Sequence, residues 1–254
     1  MEKLPSWIVE RPIAHRGLHD RTSGVPENSL AAFEAAVAAG YPIELDVQLL
    51  ADGQVVVFHD FDLKRLTGDG RDVADCTAED LRPLRLDGTD QPVPLLTEVL
   101  AAVGGRTPLL IELKSPSRDD RRLERAVGVL LADCGDPVAV QSFNSLSLKW
   151  FREHMPEIPR GQLGSDFAGT GPAAAPVAGH GKASLRDLMP GQPGRPAFVA
   201  CDARRLRAWT PEQKRLVGLP LLAWTVRSFA EAARALKHAD NIIFEGFRPE
   251  CPPP

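Results

Sequence analysis

The chain has 254 residues, 43% hydrophobic and 25% charged, with a formal net charge of −4. This composition is ordinary for a globular protein and excludes a disordered or fibrous chain. The acidic balance argues against a nucleic-acid partner held through phosphate electrostatics, and no apolar run is long enough for stable membrane insertion.

Near the start, Met1 to Trp7 shows no apolar core of a signal peptide. Cys76, Cys134, Cys201 and Cys251 are scattered without a CxxC spacing, which reads as free thiols in a reducing, cytoplasmic setting. Eight short apolar strands are expected, at 13–15, 43–47, 109–114, 138–143, 161–163, 198–201, 221–226 and 242–245. The fifth is the weakest. Helical patterns lie between them, at 28–40, 123–131, 145–154, 211–217 and 228–238. In the first, Asn28 reads as the N-cap, Leu30, Phe33 and Val37 share a stripe, and Gly40 closes the end.

Alternating β and α with nearly all-apolar strands predicts a parallel sheet covered by helices. Eight such units in one chain of this length fit a closed (β/α)₈ TIM barrel, a single domain over residues 1–254. The alternative is an open doubly wound sheet, but no glycine-rich phosphate loop follows the first strand. After the second strand, Asp52-Gly53 between two apolar runs signals a hairpin. His59 therefore returns on an extra strand, and residues 60–94 form an insertion. A second flexible loop is expected at 169–176 and a disordered tail at 249–254.

The charged residues on the strands are the chemistry. Glu44 and Asp46, at i and i+2, point to one face, as do Glu112 and Lys114. Charges inside an apolar run need a use, because desolvating an unpaired charge is costly. His15, Arg16, Glu44, Asp46, Glu112, Lys114, Trp224 and Glu245 all fall at strand C-terminal ends, where barrel enzymes place their sites. Three carboxylates suit one hard divalent cation, Mg²⁺, Ca²⁺ or Mn²⁺. Arg16 and Lys114 suit an anion, and two histidines suit acid/base work near neutral pH. Together these point to phosphoryl transfer on an anionic substrate.

The ordered set Ala14-His15-Arg16-Gly17, Pro26-Glu27-Asn28-Ser29, Glu44-Leu45-Asp46-Val47, Val57-Phe58-His59-Asp60, Leu66-Thr67-Gly68, Glu112-Leu113-Lys114, Ser142-Phe143-Asn144 and Ala223-Trp224-Thr225-Val226 resembles the glycerophosphodiester phosphodiesterase family. The resemblance spans about residues 12–248. It implies a (β/α)₈ barrel with a small insertion after the second strand and one divalent cation on Glu44, Asp46 and Glu112. It implies His15 and His59 as the acid/base pair, Arg16 and Lys114 on the phosphate, and Trp224 facing the glycerol or alcohol. The implied reaction is metal-dependent hydrolysis of small-molecule phosphodiesters, the glycerophosphodiesters, to sn-glycerol 3-phosphate and an alcohol. One histidine would deprotonate the nucleophile, either water or a glycerol hydroxyl closing a cyclic phosphate, and the other would protonate the leaving alkoxide. Some members act on lysophospholipids. The alternatives are thus a lysophospholipase D-like or cyclising phosphodiesterase, a sugar-phosphate isomerase, or a non-catalytic phosphodiester-binding barrel. One departure stands out: the last strand ends in Phe244-Glu245 where the family commonly has Thr-Asp.

Each assignment has a plainer counterpart. Glu44 and Asp46 could form a salt-bridged rim, Lys114 could simply pair with Glu112, and Trp224 could be packing. Glu27 would tie down the first loop; Asp60, Asp62 and Asp69 would be solvated loop acids; and His19, His154, His180 and His238 would lie at the surface.

Overall fold

The computed structural model describes residues 4–116, 119–132, 134–135, 137–164, 194–208 and 218–251. Nine strands run in chain order: β1 (Ile13–Ala14), β2 (Ile43–Leu49), β3 (Val55–Val57), β4 (Leu109–Leu113), β5 (Val138–Ser142), β6 (Arg160–Gly164), β7 (Phe198–Asp202), β8 (Leu221–Val226) and β9 (Asn241–Phe244). All pair in parallel except the β2–β3 hairpin, and the pairing of β1 with both β9 and β2 closes eight of them into a barrel. Among the described residues the helices are α1 (Trp7–Glu10), α2 (Leu30–Ala38), α3 (Lys64–Thr67), α4 (Ala78–Leu81), α5 (Leu96–Val103), α6 (Arg122–Ala132), α7 (Ser145–His154) and α8 (Phe229–Ala235). The helix expected at 211–217, the loop at 169–176 and His180 lie outside the described residues.

Alternation along each strand sorts its residues into two layers. Ile13, Leu110, Ala139, Leu163, Phe198, Ala200, Leu222 and Ile243 fill the barrel with Trp7 and Ile8 of α1. Leu45, Ile111, Val140, Val199, Ala223 and Phe244 face outward, against Phe33 of α2, Val99 of α5, Val127 of α6 and Phe151 of α7. Interior packing is tight at Gly161, where an added Cβ would sit 2.2 Å from the Phe198 ring. The first helix covers the N-terminal end of the strands, held by Asn241 Nδ2, which donates to the carbonyls of Ile8 (2.8 Å) and Arg11 (2.6 Å).

Capping of α2 differs from expectation. Ser29, not Asn28, is the N-cap, its hydroxyl accepting from the Ala32 amide. Asn28 has φ 54° and is occupied in the site. Gly40, at φ 76°, ends the helix as expected: its amide reaches Val37 O and that of Tyr41 reaches Ala36 O. The insertion carries its own small core of Leu50, Val56, Phe58, Leu63, Leu66, Val73, Cys76, Leu81, Leu86 and Val93. The tail is docked at its start rather than loose. Tyr41 Oη donates to Pro249 O (2.5 Å) and Cys251 Sγ lies 3.3 Å from Gly40 O, while 252–254 lie outside the described residues.

Candidate active site

The loop after β1 begins the site. Arg16 and Gly17 both have left-handed φ, 55° and 80°. Gly17 must be glycine twice over, since a Cβ there would also sit 2.8 Å from the Ala32 backbone of α2. This turn aims the Arg16 amide at Glu44 Oε2 (3.1 Å) and brings its guanidinium Nε within 3.3 Å of Asp46 Oδ2. A left-handed arginine is sterically costly, a strain typical of functional loops.

Glu44 and Asp46 on β2 and Glu112 on β4 converge, with one carboxylate oxygen of each within 4.8 Å of the others. All three are buried. The register fixes this, because Asp46 pairs directly with Glu112 across β2–β4. Asn28 Nδ2 donates to Asp46 Oδ2 (2.9 Å) and Gln141 Nε2 to Glu44 Oε1 (3.4 Å). Asp46 Oδ1 is buried with no hydrogen-bond partner. Lys114 Nζ lies 3.4 Å from Glu112 Oε1 and 3.6 Å from Asp46 Oδ1. Burial and the neighbouring Asp46 and Glu112 carboxylates push the Glu44 carboxyl well above its ordinary range. Burial also disfavours the Asp46 anion, but His59, Lys114, Arg16 and His15 outweigh it and hold that carboxyl low. Acceptor-only oxygens, one of them orphaned, crowded until one carboxyl resists ionisation, are the donor set a hard cation needs. The residues present fit it.

Each histidine has a carboxylate on Nδ1. His15 Nδ1 lies 2.6 Å from Glu245 Oε2, and its Nε2 lies 4.0 Å from Glu44 Oε2. Burial and the Arg16 charge lower the His15 pKa against the pull of Glu245. Glu245 also takes Arg227 Nε at 2.8 Å and has His19 Nε2 at 3.7 Å, so His19 is part of this corner and not a surface residue. His59 follows β3. The Phe58 amide donates to Asp46 O (3.0 Å), and Gln48 Nε2 donates to the carbonyls on either side of His59, Phe58 O (2.8 Å) and Asp60 O (2.6 Å). His59 Nδ1 lies 2.7 Å from Asp60 Oδ1. Asp60 is therefore the histidine's partner, not a solvated loop acid. The anchor reached from Glu27 is also larger than a loop tie: it binds Arg16 Nη1 (2.5 Å) and, in two contacts, Arg65 (2.7 and 3.0 Å).

Trp224 brings an aromatic ring on another strand. It lies on β8 beside Phe143, ring centroids 5.8 Å apart and edge to face, with its indole Nε1 buried and unpartnered. Sequence reasoning missed Asp60, Arg65, Gln48, Gln141 and His19. The adjacency of Asp60 to His59 was the one signal that could have found any of them.

Comparison with known proteins bears on the family and the fold. The model of the glycerophosphoryl diester phosphodiesterase family matches residues 15–243. YhdW of Bacillus subtilis (strain 168), provisionally named a glycerophosphodiester phosphodiesterase, is 41% identical over 233 residues, 87% of this chain and 88% of that protein. The glycerophosphodiester phosphodiesterase of Caldanaerobacter subterraneus subsp. tengcongensis is 33% identical over 166 residues, 59% of this chain and 65% of that one. In fold, the chain is similar to the Oleispira antarctica phosphodiesterase solved with its product sn-glycerol-3-phosphate: TM-score 0.74, 22% identity, 93% of each chain covered.

Proposed function

The chain belongs to the glycerophosphoryl diester phosphodiesterase family and has glycerophosphodiester phosphodiesterase activity, and from that premise we propose that it cleaves glycerophosphodiesters to sn-glycerol 3-phosphate and an alcohol with His15 and His59 as the acid/base pair. The observation that carries this reading is the buried carboxylate triad together with two histidines, each with its own carboxylate on Nδ1.

Glu44, Asp46 and Glu112 would hold one divalent cation, which when bound supplies Lewis-acid polarisation of a phosphoryl oxygen. Arg16 and Lys114 set positive charge beside that position and hold the phosphate, Arg16 as a fork and Lys114 as a point charge. Glu245 and Asp60 accept from Nδ1 of their histidines, which fixes the tautomer and leaves each Nε2 for proton transfer. Burial and the Arg16 charge disfavour the protonated form of His15, which favours it as the proton acceptor. His59 then donates to the leaving alkoxide. Trp224 and Phe143 offer an apolar wall to the carbon skeleton of the glycerol or alcohol. The sn-glycerol-3-phosphate held by the Oleispira protein supports this product assignment.

The test is release of glycerol 3-phosphate from glycerophosphocholine and glycerophosphoethanolamine with Mg²⁺, Ca²⁺, Mn²⁺ or EDTA. Wild type should turn over only with metal, and His15→Ala should lose at least about 10²-fold in kcat. Near-normal turnover by His15→Ala would sink the histidine assignment.

A further inference from the structure

One residue outside the site grips both of its halves. Arg65, on helix α3 of the insertion, has a side chain 45% exposed. It touches none of the candidate metal ligands or histidines, yet makes four hydrogen bonds to two carboxylates already in use. Toward Asp60, Nε lies 2.5 Å from Oδ2 and Nη2 lies 3.2 Å from Oδ1. Toward Glu27, Nη1 lies 3.0 Å from Oε2 and Nη2 lies 2.7 Å from Oε1. Asp60 is the carboxylate on His59 Nδ1, and Glu27 is the carboxylate on Arg16 Nη1.

We infer that Arg65 is a positioning residue that holds the His59 acid/base group and the Arg16 phosphate clamp in one fixed arrangement. A surface ion pair ordinarily contributes little. Here the two carboxylates reach inward as well, and each needs its outer oxygen held if its inner contact is to stay in line. The guanidinium presents its donors in a rigid plane, so one side chain can fork onto both acids at once, which a lysine ammonium cannot do. Helix α3 brings Arg65 to this place because Leu63 and Leu66, on either side of it in sequence, are buried in the insertion's own core. The insertion thereby contributes to turnover without contacting the phosphate.

This rests on the hydrolytic reading above, and the experiment separates the two. Steady-state kcat and KM on glycerophosphocholine with Mg²⁺ are measured for wild type, Arg65→Gln, Arg65→Lys, Asp60→Asn and the double variant Arg65→Gln/Asp60→Asn, with the unfolding midpoint of each. The expected result is a loss of about 10- to 100-fold in kcat for Arg65→Gln, the size usual for groups that orient active-site ligands. KM should rise through Arg16, the midpoint should hold, and Arg65→Lys should show the same losses. In kcat, Arg65→Gln should cost less once Asp60→Asn is present, because that part of its effect runs through the Asp60 contact, while the KM rise through Glu27 should persist. An inactive wild type would instead overturn the hydrolytic reading. With an active wild type, any of three results overturns the role of Arg65: wild-type kcat in Arg65→Gln, wild-type kcat in Arg65→Lys, or full additivity in kcat with Asp60→Asn. A loss that merely tracks unfolding in both Arg65 variants overturns it too.

Discussion

At the scale of single residues, the triad makes a prediction independent of turnover. Burial and its neighbours raise Glu44 above its ordinary value of 4.5. A group whose pKa is raised on folding contributes stability below its unfolded value and loses it as pH rises through the folded one. The metal-free protein should therefore lose stability on this account as pH climbs from about 4.5 upward. A divalent cation should cancel the loss by satisfying the carboxylates as anions. Melting in EDTA across pH, against melting with Mg²⁺, Ca²⁺ or Mn²⁺, checks it, and at a hundredfold excess over Kd the cation should add about 2.7 kcal/mol. Glu44→Gln should abolish both the cation effect and the pH slope. Glu27 behaves oppositely. Although burial opposes it, Arg65 and Arg16 hold its carboxyl at about 2, so its contribution is present above 4.5 and lost only as pH falls toward 2. The residues legible in the sequence were those whose type announces chemistry on or just past a strand: His15, Glu44, Asp46, Glu112 and Lys114. Asp60, Arg65 and Gln48 were not, because their roles come from contacts across the hairpin and insertion. Asn28 was misassigned because asparagine before a helix suits a cap, and nothing local shows that Asp46 claims its side chain.

Among the elements, the strands were readable because parallel barrel staves are apolar on both faces and short. The sixth strand, β6, was the faintest, since Arg160, Gly161 and Gln162 are poor strand formers. Its place is set by tertiary packing, with Phe198 of β7 lying over Gly161. Gly161→Ala should therefore be far costlier than a usual glycine-to-alanine change in a strand, by about 1–3 kcal/mol of overpacking, measured by urea unfolding. Combining it with Phe198→Leu should return part of that loss, whereas additive losses would show that the ring is not the obstacle. Helix α5 escaped notice because its N-cap position is Leu95, which offers no capping side chain of the usual kind. Its amphipathic residues Leu96, Val99 and Val103 emerge as a stripe only once packed against the barrel.

For the molecule as a whole, closure is the feature that sequence periodicity reached by count and the structure supplied by contact. Eight βα units fit a barrel, but the seam is narrow: β1 has two residues, Ile13 and Ala14, between β9 and β2. Helix α1 supports that seam from beneath. Asn241, the first residue of β9, ties it there through two hydrogen bonds. Asn241→Leu leaves the Ile8 and Arg11 carbonyls without this partner, at about 1–3 kcal/mol for a buried unsatisfied group. A lowered urea midpoint at unchanged m-value would report it, and an unchanged midpoint would mean the plug is held by Trp7 and Ile8 alone. No helix among the described residues is long and apolar enough to cross a membrane.

Strand β2 serves both the barrel and the hairpin within one nine-stranded sheet. Ile43–Val47 is a stave of the barrel, while Val47–Leu49 pairs with β3 in the hairpin that leads to His59. The distance between the histidine and the carboxylates is thus counted in rungs of a ladder. A ladder slips only by whole residues, and a slip of one would turn every side chain to the other face, taking Val55 and Val57 out of the core they share with the barrel and Val56 out of the insertion's core. The hairpin therefore allows His59 no gradual drift: its spacing is quantised, either correct or lost together with the packing that enforces it.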